Sequence, residues 1–132
     1  MAKIFDDAIK DTDLLIRQAE PEGYKNTYWS YSLVLKADNP EVDWYRFREL
    51  IQKNGGDGYY SAWKLTYMEP LFLNEIQKMQ GIWQQYGPGL CPNSEYLQPR
   101  MIQLKTNYWN LSEAEKQAEI LRKTLREYKQ QL

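Results

Sequence analysis

The residues best suited to chemistry lie in one run: Gly55, Gly56, Asp57 and Gly58, then Tyr59, Tyr60, Ser61, Ala62 and Trp63, with Tyr67 a turn further on. Glycines free a backbone for tight turns and let N–H groups approach an anion closely. The aromatic rings that follow can stack on a ligand ring or a sugar face, or can fill a core. Gly58, Tyr59, Tyr60 and Trp63 are therefore the candidate substrate-binding residues. The glycine cluster matches neither the P-loop nor the G-x-G-x-x-G pattern, and it follows a helical pattern instead of opening one. A helix stop with a tight turn accounts for Gly55, while Gly56 and Gly58 stay open. Strand alternation sends Tyr59 and Ser61 to one side and Tyr60 and Ala62 to the other, so one tyrosine is expected in the core.

This aromatic wall has no chemical engine beside it. The chain contains no histidine, which removes the usual general base at neutral pH and the commonest metal ligand. A Ser-His-Asp triad, a Cys-His pair and His-based zinc sites are excluded within the chain. Cys91 sits beside Pro92 with nothing to activate its thiol. Lys64 and Lys105 lack the phosphate-holding neighbours that a Schiff-base lysine requires, and both read as surface cations. No catalytic, cofactor-binding or metal-binding residue is assigned in this chain.

Something must position that wall, and 132 residues suffice for one domain with a proper core. Seventeen Lys and Arg against eighteen Asp and Glu leave a net charge of -1, so no basic excess draws the chain to nucleic acid or anionic lipid. No apolar run is long enough to cross a bilayer, and the first residues lack the order of a secretory signal. The single cysteine cannot form an intramolecular disulfide, which points to a reducing, cytoplasmic setting.

The elements follow from periodicity. Ile4, Phe5, Ala8, Ile9 and Leu15 predict an amphipathic helix over 3–17. Residues 28–35 read as a strand with apolar character on both faces. Asp43 is the expected N-cap of a helix over 44–53, stopped by Asn54, Gly55 and Gly56. A strand near 57–63, a helix around 71–79 and one helical turn over 93–98 come next. The alternation of Ile102 and Leu104 marks a half-exposed strand over 101–106. Ser112 and Glu115 form the sequence of a capping box, and Ala114, Ala118, Leu121, Leu125 and Tyr128 make one apolar stripe along the helix that follows. The expected fold is α+β: a small antiparallel sheet of about three strands, near 28–35, 57–63 and 101–106, covered by helices.

Three segments carry a resemblance that spans the chain. They are Pro21 to Leu35 with its Tyr-Trp-Ser-Tyr core, Phe47 to Tyr60 with its Gly-Gly-Asp-Gly turn, and Cys91 to Glu115 with Pro-Asn-Ser-Glu and Leu-Ser-Glu-Ala-Glu. In this order they resemble the C-terminal small domain of the DegT/DnrJ/EryC1/StrS family of pyridoxal-phosphate-dependent sugar aminotransferases. Two positions depart from that pattern: Trp29 stands where many members have histidine, and Lys105 where many have proline. The resemblance implies a small domain of a fold-type I aminotransferase whose N-terminal large domain, absent here, carries the aldimine lysine and the cofactor site. It implies a parent enzyme, a homodimer, that moves an amino group from a donor such as glutamate to a keto-sugar, typically nucleotide-linked, in amino-sugar, polysaccharide or antibiotic biosynthesis. The fragment alone is expected to bind no pyridoxal phosphate and to be inactive, with Tyr59, Tyr60 and Trp63 near the acceptor sugar. Two alternatives remain: a cofactor-dependent sugar dehydratase of the same family, and a free-standing aromatic-rich binding module.

Overall fold

A computed structural model of the chain describes residues 1–61, 64–79 and 85–131. Helix α1 (Ala2–Ile9) leads into strand β1 (Leu15–Arg17) and then β2 (Tyr31–Leu35). Helix α2 (Pro40–Lys53) follows, and after a stretch of single 3-10 and π turns between Thr66 and Lys78 come the short α3 (Pro92–Leu97), strand β3 (Met101–Leu104) and the long α4 (Leu111–Lys129). The strands form an antiparallel sheet in the order β1-β2-β3, with Leu15 opposite Leu35 and Leu33 opposite Ile102. The α+β class expected from the sequence is the observed one.

All three longer helices pack on one face of this sheet. Tyr31, Leu33 and Leu35 alternate inward from β2, and Ile102 and Leu104 do so from β3. They meet Phe5, Ala8 and Ile9 of α1, Trp44, Phe47, Leu50 and Ile51 of α2, and Ala118, Leu121, Leu125 and Tyr128 of α4 in a single cluster. The α4 stripe is thus a docking face for the domain's own core, as its spacing predicts. Asn54 ties the end of α2 to α4 by donating from Nδ2 to Thr124 Oγ1 (3.2 Å) and to Glu127 Oε2 (2.8 Å).

Several local expectations are corrected. The helix predicted over 3–17 stops at Ile9 and its second half becomes β1. Asp11, Thr12 and Asp13 offer the backbone other partners, Thr12 Oγ1 accepting from the Leu14 N–H at 3.2 Å. Leu15 to Arg17 then gain ladder bonds to β2 that a helix would forgo. Strand β2 buries alternate residues only, so its apolar character serves one face. Helix α2 begins at Pro40, four residues early, with Asn39 as N-cap. Pro40 suits the first helical turn because its missing N–H has no helical partner there, and Asp43 instead reaches back to accept from the Asn39 N–H (3.2 Å). The Ser112–Glu115 capping box does not form: α4 starts at Leu111 with Asn110 as N-cap and no side-chain cap bond. The helix expected around 71–79 is a π turn, Leu71–Glu75, and a 3-10 turn, Ile76–Lys78.

The third strand is also a different one. In place of a strand over 57–63, the described residues give a lone antiparallel bridge between Tyr60 and Gln103, with Tyr60 N to Gln103 O at 3.2 Å and Gln103 N to Tyr60 O at 2.9 Å. Ala62 and Trp63 lie outside the described residues. The outer place in the sheet is taken by β1, on the far side of β2.

Candidate functional site

The approach to the aromatic run is fixed by the end of α2. Gly55 N–H bonds back to Gln52 O and Gly56 N–H to Ile51 O, both at 2.9 Å, with Gly55 at φ +85°. This is the Schellman arrangement, in which glycine takes the left-handed position without steric cost. Both glycine N–H groups are consumed by the helix end, and Asp57 N–H bonds to Gln117 Oε1 (2.8 Å). These three amides are therefore not free to cradle a phosphate. Gly56 has a second constraint, since a Cβ there would meet Ile51 O and Ile120 Cγ2 at 3.0 Å.

Beyond the turn, the bridge to Gln103 sorts the two tyrosines. Tyr59 is 1% exposed; its hydroxyl donates to Trp44 O at 2.8 Å, and its ring meets Trp44 edge-on with centroids 4.9 Å apart. Burial raises its pKa well above the usual phenol value. Tyr59 is thus a core residue and offers no surface for stacking. Tyr60, 75% exposed, turns to the sheet face that the helices leave uncovered. Gly58 is exposed beside the Arg48 guanidinium. The structure brings Gly58 and Tyr60 to the surface and separates Tyr59 from them; Trp63 lies outside the described residues.

A residue that the sequence did not place in the site joins Tyr60 there. Trp29 is 94% exposed and lines a groove of about 450 Å³ together with Ser30, Tyr60, Gln103, Lys105 and Asn107. Its position depends on Tyr28, which holds φ at +51° although it is not glycine. Such a backbone costs on the order of 1–3 kcal/mol unless its surroundings over-determine it. Here they do. Asn26 Oδ1 accepts from the Tyr28 N–H (2.9 Å), and Thr106 Oγ1 shares its proton between Tyr28 O (2.9 Å) and Trp29 O (3.0 Å). The Tyr28 ring stacks on Tyr31 with centroids 6.0 Å apart. Trp29 is then aimed at solvent. In the sequence this tryptophan is part of the Tyr-Trp-Ser-Tyr run, with nothing that marks it as exposed.

On the same face a chain of polar groups is oriented. Ser30 Oγ donates to Gln103 Oε1 at 3.3 Å and so accepts from Ser32 Oγ at 3.3 Å; Gln103 Nε2 donates to Ser61 O at 3.3 Å. Gln103 keeps a second N–H and a second lone pair in reserve. Lys105 holds its ammonium 4.6 Å from the centre of the Tyr108 ring, and the Tyr108 hydroxyl donates to Asp57 Oδ2 (2.9 Å). Burial, and then that bond to a carboxylate, raise the Tyr108 pKa.

A further cluster organises the chain before α3. Glu95 accepts from the Tyr67 hydroxyl (2.6 Å) and from Gly89 N–H at 2.8 and 2.9 Å on its two oxygens. The Tyr67 bond first, and then the backbone donors, hold its carboxyl below the usual carboxylate range. The Tyr67 phenol is pushed up to about 12, by desolvation first and then by its bond to Glu95. Cys91 is exposed at the start of this turn. Among the described residues no group of histidine, cysteine and carboxylates could hold a metal ion. Lys64 and Lys105 are both exposed, and neither sits in the desolvated pocket that aldimine chemistry requires.

Comparison with protein-family models, with curated proteins and with solved structures gave no match.

Proposed function

We propose that this chain is the C-terminal small domain of a pyridoxal-phosphate-dependent aminotransferase acting on a keto-sugar, in the DegT/DnrJ/EryC1/StrS manner. The observation that carries the reading is the order of the three sequence segments along an antiparallel sheet backed by helices, with Tyr60 on the open face beside the glycine turn. The cofactor would act as electron sink in amino transfer from a donor such as glutamate. Its site is assigned by the resemblance to a large N-terminal domain. Within this chain Gly58 and Tyr60 border the acceptor sugar and Tyr59 supports them from the core, while Trp63, outside the described residues, is assigned to the acceptor by the resemblance alone. The parent is a cytoplasmic homodimer in this reading. Its near-neutral charge disfavours nucleic acid as a partner, and no helix among the described residues is long and apolar enough to cross a membrane.

The test uses a longer protein that joins this chain to the upstream domain. With glutamate as donor and a nucleotide-linked keto-sugar as acceptor, Tyr60→Ala raises the acceptor KM or lowers its kcat/KM several-fold, while the donor half-reaction changes little. Equal loss in both half-reactions, or no amino transfer in the unsubstituted protein, would remove the acceptor role.

A further inference from the structure

We infer that β1 joins two copies of this chain edge to edge, so that their sheets continue into one another across a two-fold axis. The surface lies at the opposite edge of the sheet from Tyr60 and the acceptor reading, and it needs neither cofactor nor second domain.

The hydrogen-bond phase of the sheet decides which backbone groups are open. Lys36 N–H donates to Leu14 O at 2.8 Å, so Leu14 and Lys36 are a hydrogen-bonded pair and, two residues on, so are Ile16 and Val34. The other edge gives the same phase. Gln103 exchanges both of its bonds with Tyr60, which turns the backbone groups of Ile102 and Leu104 toward Leu33 and Tyr31 and leaves those of Val34 to β1. Leu15 and Arg17 therefore aim their N–H and C=O groups away from β2, at an edge that no strand covers among the described residues. Such an edge is a template for another strand unless proline, lysine, a bulge or a covering segment blunts it. Strand β1, Leu-Ile-Arg, holds neither proline nor lysine, and it borders an open groove of about 560 Å³.

A second copy is the occupant that this edge fits. With the two β1 strands antiparallel and Ile16 opposite Ile16, Leu15 of each chain faces Arg17 of the other, and each of these pairs exchanges both of its bonds. The axis then passes through the Ile16 pair, which is of the close, non-hydrogen-bonded kind. Ile16, 45% exposed in the single chain, is covered there by its own copy. Arg17 comes to lie diagonal to Asp13 of the second copy. The groove walls carry Asp6, Asp7 and Asp13 against Lys10, Arg17 and Lys36, and this balance of signs suits a self-complementary contact better than a peptide of one charge.

The experiment follows the 132-residue chain by sedimentation equilibrium from about 10 μM to about 1 mM, since a pairing this short belongs to the weak class of interfaces. The mass is expected to rise from one chain toward two. Amide exchange by NMR reads the edge residue by residue: Ile16 is protected at every concentration, whereas Leu15 and Arg17 gain about tenfold protection as the dimer fills. Ile16→Lys and Ile16→Glu each hold the chain monomeric, and an equimolar mixture of the two variants associates again, because this position faces its own copy. A chain that stays monomeric at the highest concentration overturns the inference. So does a dimer that leaves the Leu15 and Arg17 amides unchanged, one that survives Ile16→Lys, or a mixture that stays monomeric. Protection of Leu15 and Arg17 in the dilute monomer would show another segment of the chain on the edge, and overturns it too. Where the variants unfold, the exchange pattern of the unsubstituted chain decides. Amino transfer in the longer protein is measured separately, so the failure of either reading leaves the other standing.

Discussion

Tyr59 and Tyr60 are adjacent in the chain and opposite in fate, because one backbone bridge to Gln103 fixes which of them faces the helices. The buried Tyr59 hydroxyl satisfies Trp44 O, a carbonyl left without this partner when Tyr59 becomes Phe. That substitution is expected to cost about 1–2 kcal/mol, read as a lowered midpoint in urea unfolding. Tyr60→Ala should shift the same midpoint by no more than about 0.5 kcal/mol, in the range of exposed sites. Glu95 shows a different kind of residue-level commitment. It is half-exposed, yet Tyr67 and the Gly89 N–H hold it in place. Its folded pKa is lowered, so the stabilisation is present above the ordinary carboxylate value and fades as pH falls through the lowered folded value. Acid titration by NMR of the Gly89 amide should follow that carboxyl, and Glu95→Gln should remove the transition.

At the scale of elements, the end of α2 separates two reasons for glycine. Gly55 is required by its left-handed φ and has open space around its Cβ position, whereas Gly56 has ordinary backbone angles and no room. Gly55→Ala is therefore expected to lose about 1–2 kcal/mol from backbone strain alone. Gly56→Ala should lose at least as much, because Ile51 O cannot retreat without opening the last turn of α2 and Ile120 belongs to α4. Thermal unfolding of the two variants, with circular dichroism reporting helix content, checks the order. The conversion of 11–17 from expected helix to loop and strand belongs to the same scale. Leu15 fits the apolar set of the helix and is buried from the strand, so hydrophobic pattern at that position does not choose between them. Pairing with Leu33 to Leu35 does.

For the whole molecule, the uncovered sheet face is the feature that bears on function. Helices α1, α2 and α4 share the other face in one core, while Ser30, Ser32, Gln103 and Tyr60 are left to ligand, partner or water. The chain should bind no pyridoxal phosphate by itself, since the Gly55 and Gly56 amides are committed to the end of α2 and Lys64 and Lys105 are exposed. Absorbance titration followed by borohydride reduction and peptide mapping measures this. A stoichiometric adduct on Lys64 or Lys105 would return the cofactor to this domain.

Periodicity in the sequence was enough to place the inward set of α2, β3 and α4, because burial of one stripe per element is a local demand that spacing records. Trp44, Phe47, Leu50 and Ile51 were legible in this way, as were Ile102, Leu104 and the stripe from Ala114 to Tyr128. The glycine stop at Gly55 was legible as well, since few other residues tolerate its backbone angle. The pairing of distant segments was not. Which segment becomes the outer strand, which tyrosine is core and which way Trp29 points depend on hydrogen bonds from Leu33 to Leu35, from Gln103 and from Thr106, all far away in sequence. The energies that decide these arrangements exist only once the chain has closed on itself.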